Sequence, residues 1–298
     1  MRIMITGGTG LIGRQLCKAL LSADHDITVL SRHPDTVKEK CGAAVRAFGS
    51  LDEWSSDEVF DAVINLAGEP IIDERWTEER KECLWRSRVR LTEDVVRRIK
   101  ASNHKPSVLL SGSAVGYYGD GGNKEVDESA PTSTDFGATL CASWEETAQK
   151  AAAMGVRVCQ LRTGLVLDRT GGILAKMLPP FKFGMGARLG DGSQWMSWIH
   201  IDDYVAMVLV LLHHAHACGP FNMTAPEPVT NRAFTEKLAT ALHRPAFFVA
   251  PAFVLRLALA ERAYLLLGGQ KAIPVQMTGL GYRFLHAKLE DALLDLVG

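Results

Sequence analysis

Short runs rich in isoleucine and valine alternate along this chain with longer stretches in which apolar residues recur every three to four positions. RIMIT, ITVLS, AVINLA, SVLLSG and VRVCQLRTG read as strands, because short aliphatic and β-branched runs suit a buried, pleated surface. Between them the spacing predicts helices over about 11–22, 78–101 and 140–154, with a further one near 202–215. Strand–helix alternation of this kind marks right-handed βαβ crossovers wound into a parallel sheet, so the expected fold is α/β, a Rossmann-type doubly wound sheet. From about 168 to 198 the rhythm stops in DRTGGILAKMLPPFKFGMGARLGDGSQWMSW, which reads as a long glycine-rich, aromatic and basic loop on the substrate side. From about 246 helix-forming residues run to Gly298. The expected organisation is a dinucleotide-binding domain over 1–245, containing the 168–198 loop, and a small helical C-terminal domain over 246–298.

The first strand runs into ITGGTGLIG at positions 5–13, and directly after it comes the apolar periodicity of a helix. Gly7, Gly10 and Gly13 stand where a dinucleotide cradle needs them: one for the tight turn, one for backbone approach to the pyrophosphate, one for close packing of helix on strand. Thr6 before the turn, and Leu11 and Ile12 at the helix start, belong to the same candidate site, where the helix N-terminus faces the phosphates. An NAD-preferring site has a carboxylate at the end of the second strand to accept from the ribose hydroxyl. Here that strand ends in Ser31 and Arg32, followed by His33. A guanidinium beside a hydroxyl suits a 2′-phosphate, so NADP (NADPH) is expected in preference to NAD; the alternative is a solvated surface arginine.

Composition narrows the partners. With 298 residues, 47% of them apolar, there is material for substantial cores, and a net charge of −1 draws the whole chain to neither nucleic acid nor an anionic surface. A small-molecule substrate is expected, with a homo-oligomer or a protein partner left open. The six cysteines form no CxxC pair and lie near no histidine cluster at ligand spacing, which points to reduced thiols, a cytoplasmic location and no metal. The N-terminus lacks the charged lead and cleavage site of a signal peptide. The longest apolar stretch, FFVAPAFVLRLALAERAYLLLGG at 247–269, holds Pro251, Arg256, Glu261 and Arg262, so it reads as a buried, partly amphipathic helix starting after Pro251 and capped by Gly268, not a membrane span.

TGGTGLIG, NLAG at 65–68, SGSAVGYYG at 111–119 and WIHIDD at 198–203 occur in one order, and in that order the chain resembles the extended short-chain dehydrogenase/reductases, the sugar-nucleotide epimerases and dehydratases. NLAGEPI, RW at 75–76, SR at 87–88, LRTG, GGIL, LPPF and LLGGQKAIP resemble more closely the atypical branch called epimerase family proteins, along essentially the whole chain. The resemblance implies that Leu66, Ala67 and Gly68 line the cofactor after the fourth strand, that Arg88 lies beneath the pyrophosphate, and that Val166 stands near the nicotinamide. Each has a plainer alternative: strand-end packing for the apolar residues, and an ordinary helix charge for Arg88.

Relatives of this kind use a serine after the fifth strand and a Tyr-x-x-x-Lys pair on the next helix, the lysine lowering the tyrosine pKa. Ser113 occupies the serine position, its alternative being a strand-end serine satisfied by backbone. The pair is absent: the residues four beyond the five tyrosines are Gly121, Gly122, Val208, Gly268 and His286. In GATLCASWEETAQK, Gly137 or Ala138 falls at the tyrosine and Cys141 or Ala142 at the lysine. Bringing a tyrosine from a pKa of about 10 toward 7 takes about 4 kcal/mol, for which no lysine is present. Proton transfer then falls to Ser113 with water, to Tyr117 or Tyr118, or to Glu69 in the NLAGEP loop, although Glu69 also suits a solvated loop and Tyr118 a packed turn.

In WIHIDD, His200, Asp202 and Asp203 read as a helix-capping joint before they read as a catalytic dyad or a metal site. Lys176, Lys182 and Arg188, interleaved with Phe181, Phe183, Trp195 and Trp198, suit an anionic substrate or, equally, a packed lid with wet charges. Two functions follow: an NADP-dependent oxidoreductase or epimerase-like enzyme, or a cofactor-binding sensor that has lost its chemistry and acts through a protein partner.

Overall fold

A computed structural model describes residues Met1–Gly298. Seven parallel strands form the central sheet: β1 (Arg2–Thr6), β2 (Asp26–Leu30), β3 (Arg46–Phe48), β4 (Ala62–Asn65), β5 (Val108–Ala114), β6 (Arg157–Thr163) and β7 (Gly219–Met223). Their order is β7-β6-β5-β4-β1-β2-β3, so the chain reverses direction across the sheet between β1 and β4. In an open α/β sheet a crevice forms outside the strand ends at that reversal. The expected Rossmann-type architecture is the one observed.

The strands are continuous apolar runs because both sheet faces are covered. Ile3 and Ile5 point to one side with Leu16, Ile64, Leu110 and Leu211, while Met4 points to the other with Val63, Leu109, Val95 and Ile99. The covering helices include α1 (Leu11–Ser22), α2 (Glu78–Trp85), α3 (Leu91–Ala101) and α4 (Phe136–Gln149). A π turn at Arg86–Arg90 joins α2 to α3, so the helix expected over 78–101 is present with one widened turn. α4 starts earlier than its apolar spacing indicates, because Asp135 caps it by accepting from the Ala138 N–H at 3.0 Å.

Two expectations need correction. The 168–198 segment is not a loop: it holds α5 (Gly172–Lys182) and the short strands Ala187–Leu189, Trp195–Met196 and Trp198–His200. Its glycines and the internal Pro179 and Pro180 conceal a helix whose buried Leu174, Leu178 and Phe181 recur at helical spacing. The 247–269 stretch is not a buried helix. A strand at Phe248–Ala250 comes first, and α8 (Ala252–Leu259) does start just after Pro251, but none of its residues is buried. Before it lie α6 (Ile201–His213) and α7 (Asn231–Ala241); after it α9 (Leu289–Val297) packs Leu289 and Leu293 into one cluster with Phe234, Leu238, Trp198 and Leu174. No helix is long and apolar enough to cross a membrane.

Candidate functional site

At the strand reversal lies a cavity of about 1110 Å³. Thr6, Gly7, Gly10, Ser31 and Arg32 line it from the β1 and β2 side, and Leu66, Ala67, Gly68 and Glu69 line it from the β4 side. Gly7 has φ +72°, and a Cβ there would lie 2.7 Å from the Leu66 carbonyl carbon. A Cβ on Gly13 would lie 2.3 Å from the Gly7 oxygen, so glycine is required for α1 to start against the loop. No side chain caps α1 at Gly10, which leaves its first-turn N–H groups for an anion. Thr6 Oγ1 donates to Asn65 Oδ1 at 2.6 Å and accepts the Ala67 N–H at 3.1 Å, tying the ends of β1 and β4 into one frame.

The remaining cofactor candidates take supporting places. Leu11 packs on Gly171 and Gly172, Ile12 packs against the sheet core, and Val166 pairs in register with Ile199. Arg88 is neither an ordinary surface charge nor part of the cavity wall. Its Nη2 donates to the Glu69 carbonyl at 2.8 Å, its guanidinium lies against Gly68 and 5.6 Å from the Trp144 ring, and burial pulls its pKa below the usual guanidinium value. It braces the NLAGE turn from behind. Arg32 projects outward with 84% of its side chain exposed and donates to Glu69 Oε1 at 2.7 Å. Glu69 also faces Arg80, with 3.7 Å between Oε2 and Nη1, so this carboxylate sits among arginines at the cavity wall, which Ser113 does not line.

Ser113 belongs to a buried polar cluster. β5 and β6 place it opposite Arg162 in register, and α4 supplies Cys141 and, one turn on, Glu145. The Ser113 hydroxyl donates to Glu145 Oε1 at 2.6 Å. Arg162 donates to both Glu145 oxygens at 2.9 Å each, and through Nη1 to the Tyr118 hydroxyl at 2.9 Å and the Glu128 carbonyl at 3.1 Å. Tyr118 in turn donates to Asn222 Oδ1 at 2.7 Å, and the Tyr117 ring lies 3.6 Å from the Arg162 guanidinium carbon. Burial disfavours charge on Arg162, but the Glu145 carboxylate outweighs it and holds the guanidinium pKa above its usual value. Burial pushes the Tyr118 phenol up to about 12 and the Cys141 thiol up to about 11. Cys141, one of the two residues that fall at the lysine position, is therefore a neutral thiol, and Ser113 has its proton committed to a carboxylate while its lone pairs can accept.

His200 is held as a joint. Its Nδ1 accepts the Asp202 N–H at 3.1 Å, which places its proton on Nε2, 3.3 Å from Asp295 Oδ2. The ring stacks on His286 at 3.8 Å, and burial followed by that neighbour lowers its pKa. His200, Asp202, His286 and Asp295 bring four ligand-type atoms within 4.8 Å of one another, but in this tautomer Nε2 is a donor and offers no lone pair to a metal. Buried Asp203 accepts from the Tyr282 hydroxyl and from the Leu285 and His286 N–H groups at 2.7, 2.8 and 2.9 Å. In the 168–198 region Phe181 and Trp198 are core residues, Lys176 pairs with Asp73, Trp195 donates to Asn123, and Phe183 is exposed.

A family model described as the NAD dependent epimerase/dehydratase family matches residues 3–223. The chain belongs to that family. A second model, a domain of unknown function (DUF1731), matches residues 250–296. An epimerase family protein of Staphylococcus aureus (strain MW2) is 38% identical to this epimerase-family chain over 99% of it and 98% of the relative. The chloroplastic epimerase family protein SDR39U1 homolog of Arabidopsis thaliana is 39% identical over 98% of this chain and 86% of the relative. Among solved structures, the human epimerase family protein SDR39U1 (isoform 2) with NADPH superposes with a TM-score of 0.90 at 33% identity, covering 100% of this chain and 99% of that one. A UDP-galactose 4-epimerase structure, at 17% identity and a TM-score of 0.75, shares the fold.

Three members of this epimerase-family chain's polar frame escape the sequence reading: Asn65, Glu145 and Arg162 in their roles as anchors. A charged residue inside the apolar strand VRVCQLRTG is itself a signal, since a buried guanidinium needs a carboxylate near it.

Proposed function

We propose that the chain is an NADP(H)-dependent oxidoreductase or epimerase-like enzyme acting on a small metabolite. One observation carries the reading: the glycine cradle and uncapped α1 form an anion site beside an outward-projecting Arg32, with Ser31 and no carboxylate at the end of β2. The loop N–H groups would hold the pyrophosphate of a bound dinucleotide, and Arg32 would exchange its Glu69 partner for the 2′-phosphate. A bound nicotinamide would supply or accept a hydride at C4. Arg88 fixes the NLAGE turn from behind, and Ser113, buried behind the cavity wall with its proton directed to Glu145, would accept from a substrate hydroxyl once substrate reaches it and pass the proton inward. The same hydrogen bond also favours a second reading, a cofactor sensor without turnover acting through a protein partner, because Ser113 is engaged internally and neither Gly137 or Ala138 nor Cys141 or Ala142 can replace the proton-transferring pair.

The test follows the 340 nm absorbance of stoichiometric NADPH on the protein challenged with fractionated metabolites. Decay in one fraction, absent in Ser113→Ala at unchanged NADPH affinity, supports the enzyme; tight binding without decay in any fraction removes the reductase and favours the sensor, with a redox-neutral epimerase the last enzyme to exclude. Arg32→Ala is expected to weaken NADPH by about 10- to 100-fold, the worth of one charge-assisted pair, and to leave NADH unchanged. Equal losses for both cofactors would remove the 2′-phosphate assignment.

A further inference from the structure

The sequence AFVLRLAL of α8 is apolar at all but one position, yet no residue of it is buried. Phe253 and Leu257, one turn apart, are 71% and 86% exposed. Phe247, just before the preceding strand, and Phe248 at its start add to this at 87% and 57%, and the turn after α5 adds Phe183 and Met185 at 78% and 56%. These segments are neighbours: Phe248–Ala250 pairs with Ala187–Leu189, and Arg244 Nε donates to the Lys182 carbonyl at 3.0 Å. With 150–250 Å² per aromatic side chain, the four phenylalanines alone present roughly 600 Å², at the upper end of the largest patch on an ordinary monomer.

Within the segments that form this face every charge is a cation, with Asp120, Asp191 and Glu261 at its margin. Residues 182–190 and 243–260 contain Lys182, Arg188, Arg244 and Arg256 and no aspartate or glutamate. Lys182, Arg244 and Arg256 enter none of the chain's ion pairs. Arg256 shares a groove of about 350 Å³ with Asp120 and Glu261 without pairing to either. A second copy placed on this face about a two-fold axis would set these cations against themselves. Anionic headgroups would neutralise them while the phenylalanines enter the acyl boundary, the usual arrangement of an interfacial amphipathic segment. We infer that the face formed by α8, Phe247–Phe248 and Phe183–Met185 docks the chain on an anionic membrane surface, peripherally and with no spanning segment.

The experiment is sedimentation of the full chain with vesicles of mixed phosphatidylglycerol and phosphatidylcholine, against phosphatidylcholine alone. Binding to the anionic vesicles, weakened in high salt, is expected. Lys182→Ala and Arg256→Ala should each weaken it about fivefold. Phe253→Ser combined with Leu257→Ser should reduce it to background while NADPH affinity, the check on folding, stays at the wild-type value. Failure to sediment with anionic vesicles, equal binding to neutral ones, or undiminished binding by the serine double variant would overturn the inference. So would a dimer in analytical ultracentrifugation that the double variant dissolves, if vesicles leave the wild type in solution.

Discussion

Around α1 the site is made of backbone, with Gly7 and Gly13 approaching neighbouring main chain so closely that a single carbon has no room, whereas around Ser113 it is made of side chains, with Glu145 and Arg162 neutralising each other away from water. The difference sets what each region tolerates. The loop is indifferent to charge and intolerant of volume; the cluster is the reverse, because an unmatched buried charge is costlier than a changed shape.

The sharpest way to break this comparison is Arg162→Leu. It leaves Glu145 buried without its partner and should cost about 3–5 kcal/mol in denaturant unfolding, while Arg162→Leu with Glu145→Leu should recover much of that. A double variant as unstable as the single one would show that the cluster is set by packing and not by charge. Next is Gly13→Ala, which should cost about 3 kcal/mol of NADPH binding, about 100-fold in a fluorescence titration, by forcing α1 off the loop. Unchanged affinity would mean that the loop yields freely. The smallest effect belongs to the joint at His200, outside both regions. Its pKa in the fold lies below the ordinary 6.5, so the stability it contributes is complete above that pH and is lost as pH falls through the lowered value. The melting temperature should drop on acidification below about pH 6.5, and drop less in His200→Asn, which keeps an N-cap.

What could be read from the sequence follows the same division. The glycine cradle was legible because its requirements are local: strand, turn and helix lie within a dozen residues, and each glycine has a reason stated by its neighbours. The Glu145–Arg162 pair was not, since its members lie on different elements and meet only through sheet register. Tyr-x-x-x-Lys could be shown to be missing and its positions narrowed to Gly137 or Ala138 and Cys141 or Ala142, but the carboxylate to which Ser113 donates could not be read. α5 was hidden by Pro179 and Pro180, which carry turn signals into a helix, and the exposure of α8 was hidden because apolar residues read as core whether or not anything covers them.

The triple engagement of Asp203 bears on how the molecule could be taken apart. Three donors from Tyr282, Leu285 and His286 close on one carboxylate in the body of the fold, and Leu289 and Leu293 follow into its core. The final segment therefore behaves as a ligand that happens to be covalently attached. Severed and supplied as a free peptide, it should find its groove again and restore the shortened chain in trans, with Asp203 as the address it recognises.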